Sequence, residues 1–274
     1  MNILKIIIQS VKIYKNNKLF WLLGLGIALL TFIAGFDLPA ENAGLRCLIA
    51  PIQLTLFIIS SLIGTSLVKL TFNCVQSKSA PYSEVWKEAK SKFFFRLIGA
   101  GLLYSLIILV FIFLYFVSSR LFGSSLIFSL FAIVFFAVGT SQGSFIFAAI
   151  IIDDFEVGKA ISNGVYLPIR YFSFVIPIAI LFTMANIGIT FAFVYIFNAL
   201  SITNQLVIPE EQFYLSYSLL MGATPVRLFT ILTSTFLTPL HIIAFTLAYL
   251  KLTPRIVKPE INAPLELEGG VDPV

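Results

Sequence analysis

Charged residues are scarce in this chain: Asp, Glu, Lys and Arg make up 11% of its 274 residues, against about 25% in a typical soluble domain. Hydrophobic residues make up 59%, and the mean hydropathy is +0.99. A water-soluble fold of this size could not cover its surface with so few charges. Lipid must therefore solvate most of the chain, and we predict an integral membrane protein.

Histidine and cysteine are also rare. The chain contains one histidine and two cysteines, Cys47 and Cys74. The cysteines flank one hydrophobic stretch, so a helix between them would hold them on opposite faces of a bilayer and prevent them from pairing. No cluster of Cys and His ligands is present, and neither is a nucleotide-binding or hydrolase motif. We therefore predict no metal site, no cofactor and no catalytic residue.

Six long apolar stretches contain no Asp, Glu, Lys or Arg, and each approaches or exceeds the roughly 20 residues that a spanning helix needs. We predict spans at 19–36, 48–68, 97–117, 126–152, 172–197 and 228–250. The predicted fold is all-α: a polytopic membrane protein with six transmembrane helices in a single membrane domain, 1–258. Residues 259–274 contain proline, glycine and acidic residues, and we expect a disordered cytoplasmic tail.

Lysine and arginine concentrate on one side of these predicted spans. Of the 18 such residues, 15 lie in the N-terminal segment and in every second segment after it, whereas Arg46, Arg120 and Arg227 lie in the others. Because positive charge accumulates in cytoplasmic loops, we predict that both termini are cytoplasmic in a bacterial-type cell membrane. The basic residues follow the span ends rather than a soluble face, so we expect anionic lipid headgroups as partners and no nucleic acid.

Three cytoplasmic segments combine apolar and polar residues at helical spacing. Residues 3–18 place lysines on one face, residues 81–93 have an aromatic and apolar face, and residues 154–167 begin with Asp154 as a candidate N-cap. We predict three amphipathic helices that lie in the headgroup plane and group the six spans into three hairpins. The hairpins share a pattern but little sequence identity, which leaves open whether they are a true repeat.

Polar residues inside the predicted spans are few. The densest group is in span four, where Gly139 and Gly143 have the spacing that lets helices approach closely, with Gln142 between them. This pattern favours helix packing, and contact of Gln142 with a lipid or a substrate is the alternative. Proton-coupled pumps and intramembrane proteases use ionisable residues within their spans, so the charge-free spans argue against both classes.

Two further polar side chains lie in the last two spans. Asn186 could hydrogen-bond to Gln142 or to a backbone carbonyl and so hold two helices together. His241 follows Pro239, and a proline leaves the carbonyl one turn earlier without its helix partner, so that a polar side chain or water must satisfy it. We predict structural roles for Asn186 and His241, with ligand binding as the alternative.

Three acidic residues, Asp153, Asp154 and Glu156, cluster at the cytoplasmic end of span four. Paired carboxylates can perform acid–base chemistry or hold Mg²⁺. No histidine, second carboxylate motif or phosphate-binding loop accompanies them in the sequence. We therefore predict that they cap the amphipathic helix that follows.

Three stretches of the chain resemble a known family. They are residues 11–24 (VKIYKNNKLFWLLG), residues 82–89 (YSEVWKEA) ahead of 94–97 (FFRL), and residues 154–161 (DFEVGKAI). They are similar to bacterial multispan proteins of the glycerophosphoryl diester phosphodiesterase membrane domain type, including stand-alone relatives. The resemblance implies a basic helix that runs into the first span and a helix that re-enters the membrane after span four. It implies no catalytic residue, because the phosphodiesterase domain with its metal site is absent from this sequence.

These patterns together predict a membrane protein without catalysis of its own. It would act as a lipid-facing scaffold or as a partner subunit of a membrane assembly, with another membrane protein or with copies of itself. One alternative is a permease subunit, since a cytoplasmic helix between spans four and five is typical of ATP-driven permeases, although their Glu-Ala-Ala-x-x-x-Gly pattern is missing from residues 153–170. The other alternative is a membrane enzyme that modifies lipids with the acidic cluster.

Overall fold

The computed structural model describes residues 3–34, 43–78, 81–122, 126–199 and 224–253, and its regular elements in these ranges are all helical. The α-helices are α1 (Ile3–Asn16), α2 (Lys18–Ala34), α3 (Ala43–Val75), α4 (Tyr82–Glu88), α5 (Phe94–Phe122), α6 (Leu126–Asp153), α7 (Val157–Arg170), α8 (Phe172–Ala199) and α9 (Thr224–Leu252). A π-helical segment, Ala89–Phe93, joins α4 to α5. The all-α prediction is confirmed for these ranges, and the predicted tail 259–274 lies outside them.

Each of the six predicted spans coincides with a helix, in the order α2, α3, α5, α6, α8 and α9. By length and composition, three helical stretches in the described ranges can cross a membrane: Pro51–Val75, Tyr82–Val110 and Ile231–Leu252. A fourth is added if Val157–Arg170 and Phe172–Asn186, which meet at a bend of 95°, form one broken span. The fold is therefore that of a helical membrane-type protein with three or four such stretches.

By the same criterion of length and composition, the remaining two predicted spans contribute shorter stretches. They are apolar helical stretches at Lys18–Leu30 and Ala137–Asp153. Some helices extend beyond the predicted spans: α3 continues through Lys69 to Val75, because a helix can extend its backbone hydrogen bonds past a first charged residue. A charge-free window therefore marks the apolar part of a helix and not its ends.

The core of the bundle is centred on α9, which packs against α1, α2, α3, α6 and α8. Phe145 on α6 meets Phe245 and Tyr249 on α9 edge-on, with ring centroids 5.9 and 5.6 Å apart. Small buried neighbours, Ala148 and Ala244, allow the two helices to approach closely around these rings. Aromatic packing thus holds α6 against α9.

The outer surface of α5 is strongly apolar. Nine large apolar side chains are exposed among those that the structure describes on α5: Phe95, Leu102, Leu103, Leu106, Ile107, Leu109, Val110, Ile112 and Phe113. An exposed apolar surface of this length is unfavourable in water and favourable in hydrocarbon. It supports the assignment of α5 to lipid contact.

The amphipathic segment 81–93 is helical, but it differs from the predicted separate helix in the headgroup plane. It continues into α5 through the π-helical segment, and Tyr82–Val110 forms one helical stretch. Val85, Ala89 and Phe93 are all nearly fully buried although they are four residues apart, a spacing that drifts around an ordinary α-helix. The wider π turn corrects this drift and keeps all three side chains on the buried face.

The α6–α7 turn folds α7 back onto α6. The N–H of Phe155 donates to the carbonyl of Ala149 at 3.3 Å, which caps the end of α6. Gly164 of α7 then packs so closely on α6 that a Cβ there would lie 2.7 Å from the backbone nitrogen of Ile146. Only glycine allows this approach, so Gly164 determines how α7 is attached to the bundle.

Candidate functional site

A cavity of about 530 Å³ lies among α2, α3, α5, α6 and α9. Its size is within the range of about 300–1,000 Å³ that is usual for small-molecule sites. Three residues that were singled out from the sequence line it: Gly139, Gly143 and His241. The structure therefore brings candidates from two distant spans to one place.

Tyr104 of α5 covers the two glycines of α6. Its hydroxyl donates to the carbonyl of Gly139 at 2.6 Å and lies 3.2 Å from Oε1 of Gln142. A Cβ at Gly143 would lie 3.5 Å from the Tyr104 ring. The glycine pair thus accommodates an aromatic side chain from α5, where the sequence pattern predicted the approach of a second helix backbone.

Three hydroxyl groups of the cavity wall donate to carbonyls of their own helices. Thr140 donates to the carbonyl of Ala137 at 3.1 Å, Ser144 to that of Thr140 at 2.9 Å, and Thr246 to that of Ile242 at 2.7 Å. Hydroxyls that bond back to the preceding turn present mainly their carbon atoms to the cavity. The wall is therefore largely apolar despite its serine and threonine content.

His241 contributes an imidazole ring to this wall. Its imidazole lies edge-on to Phe245 with a centroid separation of 4.6 Å, and 5.5 Å from the ring of Phe182. No protein hydrogen bond to the imidazole is found within the described part of the chain. The side chain that bonds the carbonyl freed by Pro239 is Tyr14, which donates to Thr235.

Three other residues extend the comparison with the sequence. Asn186 lies on an exposed part of α8 and is not among the residues that line the cavity. Tyr104 was missed, although a tyrosine hydroxyl within an apolar span needs a hydrogen-bond partner and could have been flagged for that reason. Gly64 of α3 was missed as well, because an isolated glycine in a helix carries no distinctive signal.

The acidic cluster forms contacts that differ from the predicted caps. Asp154 has a positive φ of 57° and lies in the turn before α7, and the N-cap of α7 is Glu156, without a side-chain capping bond. The capping prediction for Asp154 is wrong, because its carboxylate binds Arg96 at 2.7 Å and Lys92 at 3.0 Å. Asp153 accepts a hydrogen bond from the hydroxyl of Tyr249.

The charges of this cluster fix the protonation state of Asp154. The Lys92 ammonium, followed by the Arg96 guanidinium, holds the pKa of the Asp154 carboxyl below its usual range. Asp154 is therefore ionised at neutral pH and ties the start of α5 to the α6–α7 turn. Within the described ranges, no three His, Cys, Asp or Glu side chains group together as a candidate metal site.

Searches against protein-family models, curated proteins and solved structures give no match for this chain. The resemblance to the phosphodiesterase membrane-domain family stays a prediction. The class that fold and cavity define is a helical membrane-type protein with an apolar cavity in its bundle.

Proposed function

We propose that this chain is an integral protein of a bacterial-type cytoplasmic membrane with six spanning helices and both termini in the cytoplasm. It acts as a non-catalytic scaffold that binds membrane lipid, alone or as a partner subunit of a membrane assembly. The observation that carries this proposal is that α1 has two faces with apolar side chains, one packed against the bundle and one exposed. The charge-free spans and the apolar surface of α5 add support.

One apolar face of α1 packs against the bundle. Ile6, Ser10 and Tyr14 are buried there, and the Ser10 hydroxyl donates to the carbonyl of Ile6 at 2.8 Å, so no hydroxyl is left unsatisfied. The second face carries Leu4 and Ile8, whose side chains are 60% and 58% exposed. A helix that covers a bundle on one side and leaves large apolar side chains open on the other is suited to lie at a bilayer surface.

Positive charges border this open face. Lys5 and Lys12 are exposed on the rim of α1, and no acidic residue lies in the helix. Lysine stems can extend along an apolar surface while the ammonium groups reach phosphate oxygens. Anionic lipid headgroups therefore match both the apolar strip and its charged rim, and each lysine near such a surface contributes about 1 kcal/mol.

The end of α7 repeats this arrangement. Tyr166 and Ile169 are 54% and 59% exposed, and the Arg170 guanidinium lies 5.8 Å from the Tyr166 ring. The aromatic ring and the cation suit the level of the headgroups, where Tyr and Arg combine an apolar body with a polar end. Two separate helices thus present the same chemistry to a membrane surface.

Two neighbouring positions of α1 test the proposal directly. In a background without Cys47 and Cys74, Ile8→Cys and Gln9→Cys are each labelled with an environment-sensitive fluorophore in protein reconstituted into vesicles containing anionic lipid. We expect a blue-shifted emission, quenched by quenchers on the lipid chains, at position 8, and a water-like emission at position 9. Equal water exposure of both positions contradicts the proposal.

Purification in mild detergent gives a second test. Retained anionic lipid, or a membrane protein that copurifies in fixed ratio, is the expected result. A lone monomer without lipid contradicts the proposal. If the Lys5→Gln/Lys12→Gln double variant loses lipid and Lys78→Gln, an exposed lysine outside α1, does not, the charged rim of α1 is responsible.

A permease subunit is the second candidate function. The observation in its favour is the 95° bend between α7 and α8, which holds a short helix roughly at right angles to the predicted fifth span. Helices in this position can dock on a soluble ATPase. Copurification of an ATPase that is lost on substitution of exposed residues of α7 would favour the permease over the scaffold.

A lipid-modifying enzyme is the weakest candidate. Asp153 is bonded to Tyr249, and Asp154 is paired with Lys92 and Arg96. These contacts favour a structural role for both carboxylates. Unchanged lipid composition in cells that lack the protein would contradict the enzyme hypothesis.

A further inference from the structure

The cavity in the bundle has the properties of a site for a hydrocarbon chain. Its volume of about 530 Å³ is lined by side chains of five helices, its surface is mostly apolar, and three of its hydroxyl groups donate to their own backbones. Water in such a space would find few hydrogen-bond partners, whereas a hydrocarbon chain needs none. The chemistry of the wall therefore selects an apolar occupant.

The position of the cavity indicates where that occupant comes from. One wall is α5, which contributes Tyr104 and Ile108 to the cavity and exposes Leu102, Leu106 and Leu109 on its other side. A single helix thus separates the cavity from the surface that we assign to lipid. The α5 helix packs on α6 through Tyr104 and makes only slight contact with α3. Because these two helices hold each other only weakly, the boundary between α5 and α3 is the route by which a lipid chain would enter the bundle from the side.

The imidazole of His241 is a polar group in this wall that no protein hydrogen bond in the described ranges satisfies. The His241 imidazole reaches the cavity and is held by ring contacts with Phe182 and Phe245. The imidazole has no hydrogen-bond partner among the described residues, so a ligand oxygen beside it would gain a hydrogen bond. Fatty acids and ester-linked membrane lipids both combine a long apolar chain with such an oxygen.

We propose that the cavity binds the hydrocarbon chain of a membrane lipid, which enters between α5 and α3 and places an oxygen atom near His241. The ligand class is an acyl chain, from either a free fatty acid or a phospholipid. This site deepens the proposed scaffold function and rests on its membrane location. It does not depend on α1 or on headgroup binding, so the fluorophore test at positions 8 and 9 can fail independently.

Two glycines provide a matched pair of variants. A Cβ at Gly64, which lines the cavity, would meet no atom within 4 Å, and the same is true of Gly188, which is exposed on α8. Gly64→Leu therefore fills part of the cavity without a backbone clash, and Gly188→Leu makes the same chemical change outside it. A third variant, His241→Phe, keeps a ring between Phe182 and Phe245 and removes the imidazole.

The experiment uses the full chain in lipid nanodiscs with two photoactivatable probes. One is a fatty acid with a diazirine on its chain, and the other is a phospholipid with the same group on one acyl chain. After illumination, mass spectrometry locates the labelled residues. Labelling on the outer surface of α5 serves as the internal reference for lipid that surrounds the protein.

We expect labelling of the cavity-lining part of α6 and α9 in the natural protein. Gly64→Leu should reduce it at least tenfold relative to the α5 reference, Gly188→Leu should leave it unchanged, and His241→Phe should reduce it about fivefold, the effect of one hydrogen bond. If just one of the two probes labels the cavity, that probe identifies the source of the chain as a free fatty acid or a phospholipid. Absence of cavity labelling with both probes, or equal loss in Gly64→Leu and Gly188→Leu, overturns the proposal.

Discussion

Tyr14 of α1 donates its hydroxyl to the carbonyl of Thr235 at 3.2 Å, and Thr235 lies one turn before Pro239 in α9. Proline has no N–H, so it leaves the carbonyl four residues earlier without a helix partner. Tyr14 supplies the missing donor from a different helix. Burial raises the pKa of Tyr14 to about 12, so the hydroxyl keeps its proton at neutral pH. The amphipathic helix α1 is thereby attached to α9 at the point where α9 lacks a backbone hydrogen bond.

The effect of Tyr14→Phe on stability tests this attachment. Phenylalanine keeps the ring that stacks on Trp21 with a centroid separation of 5.2 Å and removes only the donor. We expect a loss of about 1 kcal/mol in the free energy of unfolding, because the carbonyl of Thr235 is then buried without a partner. Thermal unfolding in mild detergent measures this, and Tyr166→Phe, at an exposed position, should show no comparable loss.

Asp154→Asn tests the ion pairs at the α6–α7 turn. Asparagine tolerates the positive φ of this position, so the substitution removes the charge and keeps the backbone conformation. Because the pKa of Asp154 is lowered, its stabilising contribution is present above the unfolded-state pKa of about 3.9 and is lost as the pH falls through the folded-state pKa. The pairs with Lys92 and Arg96 are about half exposed, so we expect a loss of about 0.2–1 kcal/mol at pH 7.

Unfolding curves at several pH values measure the contribution of Asp154. The difference in stability between the natural protein and Asp154→Asn should shrink at pH 3 and in high salt, because protonation or screening removes the interaction. A difference that is constant from pH 3 to pH 7 would show that the charge of Asp154 has no stabilising role. Lys87→Gln, which removes an exposed cation outside this cluster, is the control.

Gly164 and Gly158 of α7 should respond in opposite directions to substitution by alanine. A Cβ at position 164 would lie 2.7 Å from the nitrogen and 2.9 Å from the Cα of Ile146, and backbone atoms cannot yield locally. We expect Gly164→Ala to cost about 1–3 kcal/mol of stability through overpacking. A Cβ at position 158 would meet nothing within 4 Å, so Gly158→Ala should be neutral or stabilise by up to about 1 kcal/mol.

Thermal unfolding of these two variants side by side distinguishes close packing from helix propensity. If both alanine variants are stabilised, α7 is not held against α6 at Gly164. If both are destabilised equally, a general effect on α7 is responsible and the close contact is not. Opposite signs support the contact with Ile146.

The helices and part of the site could be predicted from the sequence, because small and polar residues are conspicuous in apolar spans. Gly139, Gly143 and His241 were found in this way, and the structure places all three around one cavity. Tyr104 and Gly64 were not found, since the contact between Tyr104 and Gly139 joins helices 35 residues apart in the chain. Patterns along one helix do not reveal which side chain of another helix covers it.

The partners of the acidic cluster could not be predicted from local sequence patterns either. A local pattern predicted that Asp154 caps α7, because capping is decided within a few residues. Its actual partner Arg96 lies 58 residues earlier, and two cations outcompete a single backbone N–H for the carboxylate. The turn before α7 is therefore determined by tertiary electrostatics, which the local sequence does not contain.

Cys74 provides a direct test of the predicted orientation. Its thiol is free and exposed near the end of α3, between Lys69 and Lys78, two lysines that the charge pattern predicts to be cytoplasmic. In a Cys47→Ser variant, Cys74 is the one remaining thiol, so a membrane-impermeant maleimide reports only its side of the membrane. We expect labelling in inside-out vesicles and none in intact cells, because positive charge accumulates on the cytoplasmic side. The reciprocal Cys74→Ser variant should label Cys47 from the outside, and labelling of Cys74 in intact cells would reverse the orientation.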